Sequence, residues 1–138
     1  MQRIEKQVIA YRSVCHALVH IFELTYGVVL IGIGHEFSVG LFALGLLANV
    51  AGFAFGLAAL SAGFLANRIG ERRILILFCF ASAIASVFVG VSPNIHVLGT
   101  ALAMLGLAIG IFHPVASAFL TKAIRQRGGS FWLFRGWW

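Results

Sequence analysis

Four long apolar runs separated by short polar connections govern what this chain can fold into. They extend over about Ser13 to Gly34, Val39 to Ala66, Ile74 to Val91 and Val97 to Leu120. A bilayer core about 30 Å thick is crossed by about 20 helical residues, within a range of about 17–25. All four runs meet that length, and the second is long enough to tilt or protrude. In lipid an unpaired backbone amide costs several kcal/mol, so each run must be helical. Composition closes off the soluble alternative. The 138 residues are 61% hydrophobic and only 10% charged, with a mean hydropathy of +1.00, whereas soluble domains carry about 25% charged residues. The expected fold is all-α, a polytopic membrane bundle of four transmembrane helices. The first run is too long for the core of a signal peptide, and no small-x-small cleavage site follows it.

Charge sets the orientation. The ten basic residues are Arg3, Lys6, Arg12, Arg68, Arg72, Arg73, Lys122, Arg125, Arg127 and Arg135. Each falls in the N-terminal segment, the second connection or the C-terminal tail. The first connection (His35 to Ser38) and the third (Ser92 to His96) hold none. Basic connections remain on the cytoplasmic side. Both termini and "NRIGERR" are therefore expected in the cytoplasm, in an integral, multi-pass protein of the bacterial inner membrane. The net charge of +6 reads as an orientation signal and as contact with anionic headgroups. No nucleic-acid module is visible, and no nucleic-acid partner is expected.

Two helices carry smooth faces. At 100° per residue, Gly45, Asn49, Gly52, Gly56 and Gly63 fall within about 60° on the second helix. Gly52 and Gly56 form a small-xxx-small pair, a pattern that lets another backbone come close in lipid. On the fourth helix Gly99, Ala103, Gly106, Gly110, His113 and Ser117 share about 80°. Pro114 beside that face removes a helix hydrogen bond, so a kink is expected there. Close, sliding contact and static tight packing both fit these strips.

The first helix places His16, His20 and Glu23 on one face, at spacings of four and three. Glu23 is the only carboxylate inside an expected span. An ionisable group at that depth is expensive and normally faces a bundle interior or a wet cavity. A Glu–His set can hold or pass a proton near neutral pH. The bland alternative is a neutral acid joining helices, with His16 near the headgroups. His113 is a fourth candidate for the pathway, otherwise a satisfied structural histidine. His35 and His96 fall at the outer surface.

Enzyme chemistry has little to stand on. The chain has no aspartate and only four acidic residues, with no phosphate-binding glycine loop and no nucleophile elbow. Cys15 and Cys79 lie in separate runs without metal or disulfide spacing, and read as small packing residues. No metal and no cofactor are expected.

The connection "GFLANRIGERRIL", residues 63–75, carries a family resemblance. Its form, G-x-L-a-N-R-x-G-x-R-x-x-L, resembles the loop between the second and third helices of the major facilitator superfamily of secondary transporters. Gly63, Leu65, Ala66, Arg68, Gly70, Arg72 and Leu75 match. Asn67 stands where the family has an acidic residue, and Glu71 where a basic one is usual. The resemblance implies a latch on the cytoplasmic side, with Arg68 and Arg72 bridging to carboxylates and helix C-termini of neighbouring helices. "HALVHIFELTYG" and "GLAIGIFHPVASAF" look like the drug- and small-solute-efflux side of the superfamily, its fosmidomycin-resistance-like branch.

Members of the superfamily have twelve helices in two halves, each built from inverted three-helix repeats. Residues 1–127 then correspond to part of the N-terminal half, one repeat and the first helix of the next. The implied function is alternating-access transport of a small solute or drug, coupled to protons and with efflux favoured, with this chain a fragment inactive alone. Its partners would be the bilayer, a small-molecule substrate, protons, and either the rest of the transporter or a second copy. A small dimeric four-helix exporter coupled through Glu23 and a non-transporting membrane fragment or assembly subunit are the alternatives. Residues 128–138 hold all three tryptophans. They read as a headgroup-depth belt or, since Trp-Trp shifted by one base gives a glycine codon, as an out-of-frame tail.

Overall fold

The computed structural model describes residues 3–125, all five of its regular elements being α-helices: α1 (Arg3–Glu36), α2 (Leu41–Ile69), α3 (Glu71–Gly90), α4 (Ile95–Gly110) and α5 (Phe112–Arg125). Four spans among the described residues are long and apolar enough to cross a bilayer: Ile9–Glu36, Leu41–Ile69, Glu71–Gly90 and Ile95–Lys122. The fold is an all-α membrane bundle. The segment 128–138, with its two readings, lies outside the described residues.

The helices outrun the apolar runs. α1 begins ten residues before Ser13, and α2 and α3 are separated by Gly70 alone. Hydropathy marks where lipid-facing side chains end, while backbone hydrogen bonding continues into polar sequence. The "NRIGERR" connection is thus two helix ends meeting at one residue. Gly70 takes φ 88°, ψ 141°, a conformation that side chains with a Cβ rarely adopt. Its N–H bonds the Ala66 carbonyl at 2.9 Å. Arg68 in the last turn of α2 and Glu71 in the first turn of α3 each sit at the helix end whose dipole favours their charge.

The other ends are closed by local hydrogen bonds. Ser38 adopts φ 53°. The Val39 N–H reaches the Gly34 carbonyl at 3.0 Å and the Ser38 N–H reaches that of His35 at 3.3 Å, the double bond of a Schellman ending. At the start of α4, the Asn94 side chain accepts from the N–H groups of His96 and Val97 at 3.1 and 3.0 Å. Asn94→Ala is expected to cost about 1 kcal/mol, the usual worth of such a cap. Unfolding by a denaturing detergent would measure it, and an unchanged midpoint would contradict the cap.

The fourth span is broken. α4 stops at Gly110, Ile111 forms a turn, and α5 starts at Phe112. Pro114 has no N–H to offer the Gly110 carbonyl four residues earlier, and its ring crowds that carbonyl. The interruption falls just before His113.

α4 is the centre of the bundle, packed against α2 and α3, while α5 contacts α1, α2 and α3. Gly99 lies against Leu47, Gly106 against Ala51 and Gly110 against Phe55. Residue numbers rise together along both helices, so α2 and α4 run parallel. A Cβ at Gly106 or Gly110 would overlap the carbonyl oxygen of Ala51 or Phe55. Glycine is what permits that approach. The partner face on α2 is made of Leu44, Leu47, Ala54, Ala58, Ala62 and Ala66, all buried. The expected glycine strip of α2 differs. A Cβ at Gly45, Gly52, Gly56 or Gly63 would meet nothing within 4 Å, so among the described residues no helix packs on Gly52 and Gly56. Asn49 on that strip donates to its own helix, to the Gly45 carbonyl at 2.8 Å.

The core divides along the span. Toward the basic end, Phe78, Phe112, Ile74, Val19 and Val115 are fully buried, with the Phe78 and Phe112 ring centroids 4.9 Å apart. Toward the other end, Leu44, Leu47, Leu98 and Leu102 form a second cluster. α1 is the least enclosed helix, inserting chiefly Cys15 and Val19 into the core.

Candidate functional site: a histidine–glutamate chain between the first and fourth spans

Spacings of four and three on a straight helix bring three polar side chains into line. The His20 Nδ1 lies 3.0 Å from Glu23 Oε2. The other ring nitrogen, Nε2, lies 2.9 Å from the His16 Nε2. The result is an unbroken hydrogen-bonded chain, His16–His20–Glu23. His113 joins it from the first turn of α5, its ring centroid 5.3 Å from that of His16 and 5.9 Å from that of His20. That turn starts directly after the break at Ile111. All four pathway candidates therefore occupy one site.

Aromatic side chains form the wall behind it. Phe112, 1% exposed, stands edge-on to His16 at 6.4 Å. Phe55 of α2 stands edge-on to His113 at 6.4 Å. The opposite side is open: the His20 and Glu23 side chains are 50% and 34% exposed. Rising 1.5 Å per residue, the chain runs from about 10 Å to about 21 Å inside the basic end of the first span. Such a chain can take up a proton at one end and release one at the other without any heavy atom moving far.

The chain is polarised by chemistry. An ionised Glu23 only accepts, so His20 donates through Nδ1–H. A neutral His20 then accepts at Nε2, and His16 donates through Nε2–H. A proton arriving at His16 Nδ1 can pass Nε2–H to His20, which passes Nδ1–H to Glu23. Atoms and charge balance, with one proton in at His16 and one held at Glu23.

The second stretch of interest lies at the basic end. Leu65 packs on the main core, and Ala66 and Leu75 are buried. Gly63, Asn67, Arg68 and Arg72 are exposed. The Arg68 guanidinium sits 4.5 Å over the Phe64 ring. Glu71 forms an ion pair with Lys122 of α5, tying the start of α3 to the end of the fourth span.

The sequence model of the Major Facilitator Superfamily matches residues 13–133. The match takes in every residue of both sites. The chain belongs to the Major Facilitator Superfamily. No curated protein and no solved structure matches it. The superfamily comprises membrane transporters, and the match reaches no narrower branch of it.

Against the superfamily's usual loop, the ion pairing is redistributed. Arg68 and Arg72 make no ion pair among the described side chains, and Arg68 stacks on an aromatic ring instead of bridging helices. Glu71, the departure from a basic residue, supplies the carboxylate, and Lys122 supplies the cation. The swapped sign at position 71 thus keeps a link between helices in this superfamily member while changing which residues make it.

Several neighbours escaped sequence reasoning. Arg12 was counted only as an orientation charge, although Arg12, His16 and His20 form an i, i+4, i+8 ladder. Phe55 and Phe112 carry no polar signal that could distinguish wall residues from other core aromatics. Cys79 lies 3.5 Å from the Tyr11 hydroxyl, and Cys15 is buried beside the same helix pair. Both thiols are free.

Proposed function

We propose that this Major Facilitator Superfamily chain serves proton-coupled, alternating-access transport of a small solute or drug, with Glu23, His20, His16 and His113 on the proton and substrate pathway. The observation that carries the reading is the continuous His16–His20–Glu23 chain, open on one side and joined by His113 from another span. An intramembrane carboxylate with a hydrogen-bonded histidine partner is the arrangement expected of a proton relay. Efflux as the direction rests on the likeness of "HALVHIFELTYG" and "GLAIGIFHPVASAF" to efflux members. The basic end faces the cytoplasm of a bacterial inner membrane under the positive-inside rule. The open glycine face of α2 is the surface on which further transporter helices would pack, in keeping with the superfamily's twelve-helix plan.

The test is a titration of the chain in lipid nanodiscs. Infrared absorption follows the Glu23 carboxyl, and nitrogen-15 resonances follow the three histidines. Groups that share a proton titrate together, in steps belonging to the set. Matching steps in the Glu23 and His20 signals are expected. Independent, single-site curves for the two would remove the relay.

A further inference from the structure

Arg12 stands apart among the described cations. Its Nε is buried and has no hydrogen-bond partner, the one such side-chain nitrogen or oxygen among the described residues. The ion pairs among the described side chains are His20–Glu23 and Glu71–Lys122, so no described carboxylate neutralises Arg12. Glu23 lies on the same helix but eleven residues on, about 16 Å along the axis. At that separation the two groups do not reach the contact of about 4 Å that an ion pair needs. Arg12 lies one helical turn before His16 on α1, and the His113 ring centroid lies 5.3 Å from that of His16. A buried N–H donor without an acceptor costs on the order of 1–3 kcal/mol, and a guanidinium offers five donors and no acceptor.

The neighbourhood is therefore rich in donors and poor in acceptors. Arg12 and His16 come from α1, one turn apart. His113 comes from α5, its ring 5.3 Å from that of His16. His16 and His113 meet across two helices with Arg12 one turn before His16, and the only carboxylate of the cluster is engaged by His20 at the far end. We propose that Arg12, His16 and His113 form a binding site for the oxyanion head of a small anion, Arg12 supplying the permanent charge and the Nε–H, His113 a ring N–H, and His16 its Nδ1–H when that nitrogen carries a proton. Guanidinium groups favour planar, forked recognition of such oxygens. The proposal deepens the transport reading by assigning an anionic substrate class, and it rests on that reading only for the step of transport itself.

Arg12 lies three residues inside the start of the first span at Ile9, about 5 Å along the helix. A soluble anion and a lipid headgroup phosphate both present the same chemistry at that depth. The experiment separates them. The full chain is purified in a phosphate-free maltoside detergent and titrated with inorganic phosphate at constant ionic strength, chloride making up the balance. Imidazole resonances of His16 and His113 are followed. A saturable shift of both is expected, with the dissociation constant raised roughly tenfold or more in Arg12→Gln and partly restored in Arg12→Lys. Nanodiscs with and without anionic lipid form the second arm. If the same resonances shift with anionic lipid and soluble phosphate then competes, the oxyanion in the resting protein is a headgroup.

A chloride response equal to that of phosphate, or silent His16 and His113 signals in both arms, would overturn the site. The wild-type titration decides this even if the Arg12 variants fail to fold. Glu23→Gln keeps the two readings apart. Phosphate binding that survives in this variant alongside lost proton coupling supports both. Failure of the phosphate titration with coupling intact removes only the anion site.

Discussion

Gly110→Val is expected to destabilise the bundle by about 3 kcal/mol or more, the largest single effect of any substitution at a described glycine. A Cβ at that position would overlap the Phe55 carbonyl oxygen and stand 3.0 Å from its carbonyl carbon and its Cα. These are backbone atoms and cannot rotate away. α4 would have to separate from α2, the helix with which it makes its most extensive contact. Overpacking a core costs about 1–3 kcal/mol when side chains can adjust, and here they cannot. Lipid gives helices no hydrophobic drive to stay together, so close packing carries most of their association. Gly56→Val is the matched control, because a Cβ there meets nothing within 4 Å. Its effect should stay within about 1 kcal/mol. Unfolding both variants with a denaturing detergent, followed by circular dichroism, compares them. Equal midpoints would mean that α2 and α4 do not meet along Ala51 and Phe55.

That pair of glycines also shows where sequence reasoning stopped. Hydropathy located all four spans, because the lipid requirement acts on each helix separately. An irregularity next to Pro114 was equally legible, since a missing N–H is a local property, and the helix is interrupted at Ile111. Periodicity identified a smooth face on each of the two glycine-bearing helices, but smoothness does not say which face is covered. α2 turns its alanines, Ala54, Ala58, Ala62 and Ala66, toward the core and leaves Gly52 and Gly56 open. An alanine row packs nearly as closely as a glycine row, so composition could not choose between them.

The site was half legible for the same reason. His16, His20 and Glu23 share a face by arithmetic within one helix. That His113 meets them depends on how α1 and α5 are docked, which no spacing encodes. Arg12 was hidden by its own charge, since an arginine near a span end reads as an orientation signal until its Nε is found without a partner. At the basic end the motif letters matched, yet the ion pair formed through Glu71 and Lys122, fifty-one residues apart in sequence.

In an assembly completed by the rest of the transporter or by a second copy, Glu23→Gln is expected to abolish proton-driven accumulation of solute while leaving the chain folded. Glutamine keeps the length of the side chain, and its amide oxygen can still accept the His20 Nδ1–H. What it loses is the ability to hold a proton. The structural loss should be small, because an acceptor remains for the His20 Nδ1–H and no donor is left unpaired. Function and stability should therefore separate. In vesicles, exchange of solute across the membrane without net proton movement should persist in the variant, while accumulation driven by an imposed pH gradient disappears. His20→Leu should give the same loss by another route, since it cuts His16 from Glu23 and leaves the carboxylate without its 3.0 Å partner. Wild-type accumulation in Glu23→Gln, at matched amounts of inserted protein, would take the proton role away from this chain. Loss of exchange together with accumulation would instead make Glu23 a residue of substrate binding, competing with the anion site that Arg12 is proposed to form.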